Sequence, residues 1–152
     1  MNKELFKIEL VNKGIELSEQ QVEQYAYYFK RLVEQNKLHN LTSITDEEGV
    51  YEKHFYDSIS VGFGLDLNDL DCLDVGSGGG FPGMPLRIAF PNMKLSILDS
   101  TAKKIVFLDN LAKELNLDNV TPIVSRAEEY KEKKFDVVTA RGVANLIMLL
   151  EL

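Results

Sequence analysis

A doubly wound α/β fold on a parallel sheet is what this chain predicts, and two observations carry the prediction. Short apolar runs at 72–75, 94–98, 121–124 and 135–139 alternate with helical stretches near 83–90, 101–115 and 143–152; that alternation requires parallel strands joined by helical crossovers. The first run ends in an acid and breaks at once into glycines, Leu73-Asp74-Val75-Gly76-Ser77-Gly78-Gly79-Gly80-Phe81-Pro82-Gly83, where backbone N–H groups can approach a ligand with no Cβ in the way. Asp99 closes the next run, Leu95-Ser96-Ile97-Leu98. Strand, glycine turn, helix, strand, acid is the order with which such a sheet holds an adenosine ribose.

The elements follow in order. Residues 2–13 and 18–35 read as two amphipathic helices, with Gly14 where the first stops. Ser18 and Gln21 form a capping box for the second, whose stripe of Val22, Tyr25, Ala26, Phe29, Leu32 and Val33 recurs at helical spacing. Thr45 with Glu48 reads as another capping box, opening a helical region through His54 toward Gly62. Pro82 and Pro85 suit a helix's first turn and Pro91 its exit. Ser100 reads as the N-cap of the helix whose inward stripe is Ile105, Leu108, Leu111, Ala112 and Leu115. Pro122 marks the third strand as a sheet edge, which a strand order 3-2-1-4 provides. This divides the chain into a helical segment, 1–68, packing on the sheet, and the N-terminal half of a Rossmann-like domain, 69–152. The last apolar stretch, Leu149-Leu150-Glu151-Leu152, breaks off in mid-helix, and a fourth strand left as an open edge is something natural sheets avoid. A piece of a longer chain, its sheet truncated after about four strands, is the expectation.

Composition narrows the function. Of 152 residues, 45% are hydrophobic, enough for a real core. With neither a long apolar span nor a basic-then-apolar leader, a soluble cytoplasmic protein is expected. The lone Cys72 sits in an apolar run and reads as a small buried strand residue. A net charge of −7 speaks against holding nucleic acid by bulk electrostatics, so an RNA role needs a local basic patch. Lys30-Arg31 with Lys37, Lys103-Lys104, the cluster Lys131, Lys133, Lys134, and Arg141 are the candidates.

The glycine run satisfies G-x-G but puts Phe81 at the third glycine position of a dinucleotide fingerprint. That glycine lets helix and strand close around a pyrophosphate, and phenylalanine argues against a nicotinamide dinucleotide. With Asp74 leading into the turn, the pocket suits a ligand with no phosphate and a cationic amino-acid end, such as S-adenosylmethionine. The string from Asp74 to Leu86 resembles the signature of the glucose-inhibited division protein B family, the bacterial small-subunit ribosomal RNA guanine-N7 methyltransferases. Asn40-Leu41-Thr42-Ser43-Ile44, His54-Phe55-Tyr56-Asp57-Ser58, Leu98-Asp99-Ser100 with Lys103-Lys104, Ser125-Arg126-Ala127-Glu128-Glu129, and Phe135-Asp136-Val137-Val138 through Arg141 agree in order and spacing, so the resemblance spans nearly the whole chain.

The resemblance implies a class I, Rossmann-like, S-adenosylmethionine-dependent methyltransferase acting on N7 of a guanine in 16S ribosomal RNA or the small ribosomal subunit, as a monomer without a metal. It implies that Gly76, Gly78 and Phe81 line the cofactor's methionine and ribose side, that Asp99 bonds the ribose hydroxyls, that Ala127 and Glu128 sit beside the adenine, and that Arg141 stands at the mouth of the site. Gly142 follows Arg141 where the family more often has alanine. Guanine N7 carries an in-plane lone pair and no proton at neutral pH, so its methylation needs positioning rather than a base, and no catalytic residue is assigned. His39 and His54 lack a metal-site pattern; His54 reads as a structural tie between the N-terminal helices and the sheet. The competing readings are a non-catalytic module that binds the cofactor or a partner and, against Phe81, a dinucleotide-dependent oxidoreductase.

Overall fold

The computed structural model describes residues 1–131, 134–141 and 146–150, with side chains described through 140. Two N-terminal helices, α1 (Lys3–Asn12) and α2 (Glu19–Asn36), begin where local chemistry starts them. Asn2 accepts the Leu5 N–H, and Ser18 and Gln21 form the reciprocal capping box that their spacing predicts. The next helical region is capped differently from expectation. Asp46, not Thr45, is the N-cap of α3 (Glu47–Gly49), accepting the Gly49 N–H at 2.9 Å. The helix then widens into a π-helical segment, Val50–Tyr56, before α4 (Asp57–Ser60). Its wider winding brings Val50, Tyr51, His54 and Phe55 all into the core.

A sheet follows: β1 (Asp71–Val75), β2 (Lys94–Asp99), β3 (Val120–Val124), β4 (Val137–Arg141) and β5 (Leu146–Leu150), with α5 (Gly83–Ala89) and α6 (Ala102–Glu114) as crossovers. The strand order is β3-β2-β1-β4-β5, with β1 to β4 parallel. The predicted 3-2-1-4 order holds, and Pro122 lies on the edge strand β3.

Two expectations are corrected. Residues 146–150 form a strand rather than part of a helix, and they pair antiparallel with β4, so β4 is not an open edge. A short apolar run such as Leu146 to Leu150 has no period that separates helix from strand, and the unpaired N–H and C=O groups of β4 offer it a partner. The remainder of the predicted helix, 143–145 and 151–152, lies outside the described residues. Second, Ser100 does not cap α6: Thr101 is the N-cap residue, with no side-chain bond to the helix.

One face of the sheet carries the main core, in which Tyr25, Tyr28, Leu32, Tyr51 and Phe55 from the N-terminal helices pack with Met84, Leu86, Ile97, Leu108 and Leu111. The other face carries a smaller cluster of Leu73, Leu98 and Phe135. Period-two alternation therefore sends Cys72 and Asp74 toward the helices and Leu73 the other way. Among the described residues, no helix is long and apolar enough to cross a membrane.

Candidate functional site

The glycine turn after β1 is built from both sides. Gly76 donates its N–H to Leu98 O at 2.7 Å and holds φ +66°, a conformation that a residue with a Cβ enters only at a cost. Gly78 also has positive φ, +56°, and a Cβ at either glycine would project into open space. Between them the Ser77 hydroxyl is buried without a hydrogen-bond partner among the described residues. From beneath, Tyr28 donates its hydroxyl to Gly79 O at 2.6 Å.

The turn's far end is fastened by Asp74. Its Oδ2 accepts the Gly83 N–H at 2.9 Å and its Oδ1 accepts the Thr139 hydroxyl at 3.0 Å. The side chain is fully buried, so it does not present a carboxylate to a cationic ligand, as its place in the sequence suggests. Pleat direction decides this, because Asp74 shares a face with Cys72 and points at the start of α5. The approach is close enough that a Cβ on Gly83 would lie 2.6 Å from Asp74 Oδ2.

Phe81 is likewise a core residue. Its ring is fully buried, stacked on His54 with centroids 4.3 Å apart and on Tyr28 at 5.7 Å, so only its backbone remains to face the turn. His54 shares a 2.6 Å hydrogen bond between its Nε2 and Thr42 Oγ1, tying the loop before α3 to the ring beneath the glycines.

In front of the turn lies a cleft of about 610 Å³, lined by three consecutive strand ends. Val75 and Gly76 come from β1, Leu98 to Thr101 from β2, and Ser125 to Glu128 from β3, with Lys104 of α6 on the rim. Of the residues singled out in the sequence, the fold brings together Gly76, Asp99, Ala127 and Glu128; Gly78 and Phe81 are not in this lining. The Arg141 side chain lies outside the described residues.

Asp99 is only 8% exposed. Its Oδ1 accepts the Thr101 N–H at 2.8 Å, and its second oxygen makes no hydrogen bond to a described residue. That oxygen is not among the buried atoms lacking a partner, so it opens on the cleft as an acceptor available to a ligand's hydroxyl groups. Ala127 and Glu128 occupy a 3₁₀ turn, Ala127–Glu129, launched from β3 by the Ser125 N–H bond to Asp99 O. Ser100, Thr101, Ser125 and Arg126 also line the cleft and were missed. The signal that finds them is position alone, since ligands of open α/β sheets bind past the carboxyl ends of the strands.

The Cys72 thiol is pushed up to about 12, first by burial and then by Asp136 and Asp71, so it stays protonated. Among the described residues no group of three or more His, Cys, Asp or Glu could hold a metal ion.

Residues 21–152 match the family model described as GidB, rRNA small subunit methyltransferase G. Ribosomal RNA small subunit methyltransferase G of Listeria innocua is 50% identical over 158 residues, covering 100% of this chain and 66% of that protein. The protein of the same name from Lysinibacillus sphaericus is 49% identical with the same coverage. The chain therefore spans about 66% of the length of these relatives. Among solved structures, coclaurine N-methyltransferase bound to N-methylheliamine and SAH superimposes with a TM-score of 0.55 at 14% identity, over 91% of this chain and 48% of that one. A point mutant of MtNAS in complex with S-adenosylmethionine gives 0.52 at 17% identity, over 94% and 52%. These two share the Rossmann-like fold.

Proposed function

Because this chain belongs to the rRNA small subunit methyltransferase G family, we propose that it is the cofactor-binding part of an enzyme that methylates N7 of a guanine in 16S ribosomal RNA, using S-adenosylmethionine, as a cytoplasmic monomer. The observation that carries the reading is the half-satisfied Asp99 carboxylate, which shares a cleft with the open backbone of Gly76. A ribose diol offers two hydroxyl donors, the complement that an acceptor-only carboxylate lacks. Ala127 and Glu128 would border the adenine, and the Gly76–Gly78 backbone the methionine end, where a side chain would fill the space.

Bound there, S-adenosylmethionine supplies an electrophilic methyl group. The chain's own task is to hold guanine N7 in line with it, and orientation of this kind is worth roughly 7–11 kcal/mol in well-aligned systems. That division of labour agrees with a protonated, buried Cys72 and with a His54 engaged by Thr42 and Phe81. N7 faces the major groove, deep and narrow in A-form RNA, so the target belongs to a loop or an opened strand. Lys103, Lys104 and Arg141 are the candidate phosphate contacts. Residues 1–68 act in this reading as the brace under the glycine turn, and 69–152 as the cofactor domain.

Titration calorimetry with S-adenosylhomocysteine and with NADH tests the pocket: binding of the first and not the second is expected, and the reverse overturns the reading. Transfer of labelled methyl to 16S RNA by the full-length protein, mapped to a guanine N7, tests the reaction.

A further inference from the structure

A second, smaller groove opens between the C-terminal end of α2 and the first turns of α6, with a volume of about 260 Å³. Arg31, Gln35 and His39 form one wall; Lys103, Val106 and Asn110 face them across a floor closed by Phe107. It joins the cleft at α6, since Lys104 lines the cleft and its neighbour Lys103 lines the groove. We propose that this groove seats one unstacked base of the RNA strand, a nucleotide flanking the one that is methylated. The proposal rests on the RNA reading above and extends it to a second contact.

Charge separates the two segments that form the groove from the rest of the chain. The chain carries −7 overall, yet segments 30–39 and 102–114 hold six lysines and arginines against three acids. Those three acids are all engaged: Glu34 and Glu114 by Arg31, and Asp109 by Lys113. Lys30, Lys37, Lys103 and Lys104 have no ion pair among the described residues; of these Lys103 lines the groove and Lys104 the adjoining cleft, a local cationic rim for a polyanion on an otherwise acidic protein.

Arg31 has a different part. With its charge offset by two carboxylates at 3.0 Å, it is a poor phosphate anchor. The same bonds fix its guanidinium, whose Cζ stands 5.8 Å from the centre of the Phe107 ring, and a guanidinium held in place is a surface on which bases stack. Val106, 58% exposed, adds an apolar wall. The Gln35 and Asn110 amides make no hydrogen bond to the described residues, and each offers a donor and an acceptor with which to read a base edge. A cavity of this size suits a single planar base better than a partner's helix or strand.

The test measures binding of the full-length protein to protein-free 16S ribosomal RNA and to small ribosomal subunits, as a function of salt. Gln35→Ala combined with Asn110→Ala leaves the charge unchanged and removes no internal hydrogen bond. It should weaken RNA binding about tenfold, with the salt slope and the affinity for S-adenosylhomocysteine unchanged, a loss in the range expected of edge contacts. Lys103→Ala should instead lower the salt slope by about one. Unchanged RNA affinity in the double variant and in Val106→Asp would overturn the groove while leaving the RNA reading intact. Loss of subunit binding alone, with naked RNA still bound as tightly, would assign the groove to a protein surface and equally overturn it. Failure of the unaltered protein to bind either RNA probe would remove the substrate reading and the groove together.

Discussion

The two walls of the cleft are built on opposite terms. On the β1 side the cleft is lined by Val75 and Gly76, which lead into a turn, 76–83, that is gripped from below by Tyr28, Phe81 and Asp74 and in which every residue past Gly78 is buried. On the β3 side, Arg126 leads into one exposed 3₁₀ turn, Ala127–Glu129, at the edge of the sheet. A wall tied to the core at several points holds a fixed shape, whereas a lone turn with few buried contacts opens at low free energy. The difference teaches which half of the site is preorganised, and substitutions on either side can break or sharpen that conclusion.

The largest effect is expected from Gly83→Ala. The added methyl would meet the Asp74 carboxylate at 2.6 Å and Asp74 Cβ at 2.9 Å, and neither has room to move. Overpacking of this kind costs about 3 kcal/mol, read as a clear drop in thermal midpoint; a midpoint within a degree of the parent would mean that the wall is not tightly held. Asp99→Ala comes next. It should lower affinity for S-adenosylhomocysteine about 10- to 100-fold by calorimetry, the worth of hydrogen bonds to a charged acceptor at roughly 1.5–3 kcal/mol, and Asp99→Asn, which keeps an acceptor for Thr101, should lose less. Equal affinities in all three proteins would remove Asp99 from the site.

Tyr28→Phe deletes one buried hydroxyl and leaves Gly79 O without its partner. A loss of about 1–2 kcal/mol in denaturant unfolding is expected, with weaker S-adenosylhomocysteine binding as the mark that Tyr28 shapes the turn. Purely additive stability loss at constant affinity would make it core packing only. Glu128→Ala stands last: on an exposed turn it should change stability by less than about 0.5 kcal/mol, so any effect it has must appear in ligand affinity. A large stability loss there would erase the contrast between the walls.

Legibility followed the range over which each interaction acts. Ser18 with Gln21 acts across three residues, and the capping box was readable. That Gly76 and Asp99 come together at one cleft was readable too, because a glycine turn and an acid at successive strand ends are local marks of the fold. The side-chain directions of Asp74 and Phe81 were not readable. Both stand close to the glycines in the string, but their side chains answer to Thr139, Tyr28 and His54, none of them near in sequence. The cleft residues after β3 carry no distinctive chemistry and become visible only once the strands are aligned.

The linear order of apolar runs, glycines and caps determined the element sequence, the parallel sheet with β3 at its edge and the nucleotide-type turn, because each depends on residues a few positions apart. Only the tertiary structure decided which side chains turn inward beneath that turn, that residues 146–150 pair with β4, and that α2 and α6 enclose a groove beside the cleft. Those outcomes depend on partners such as Tyr28 and Gly79, 51 residues apart, whose meeting is set by packing and pleat direction rather than by any local pattern.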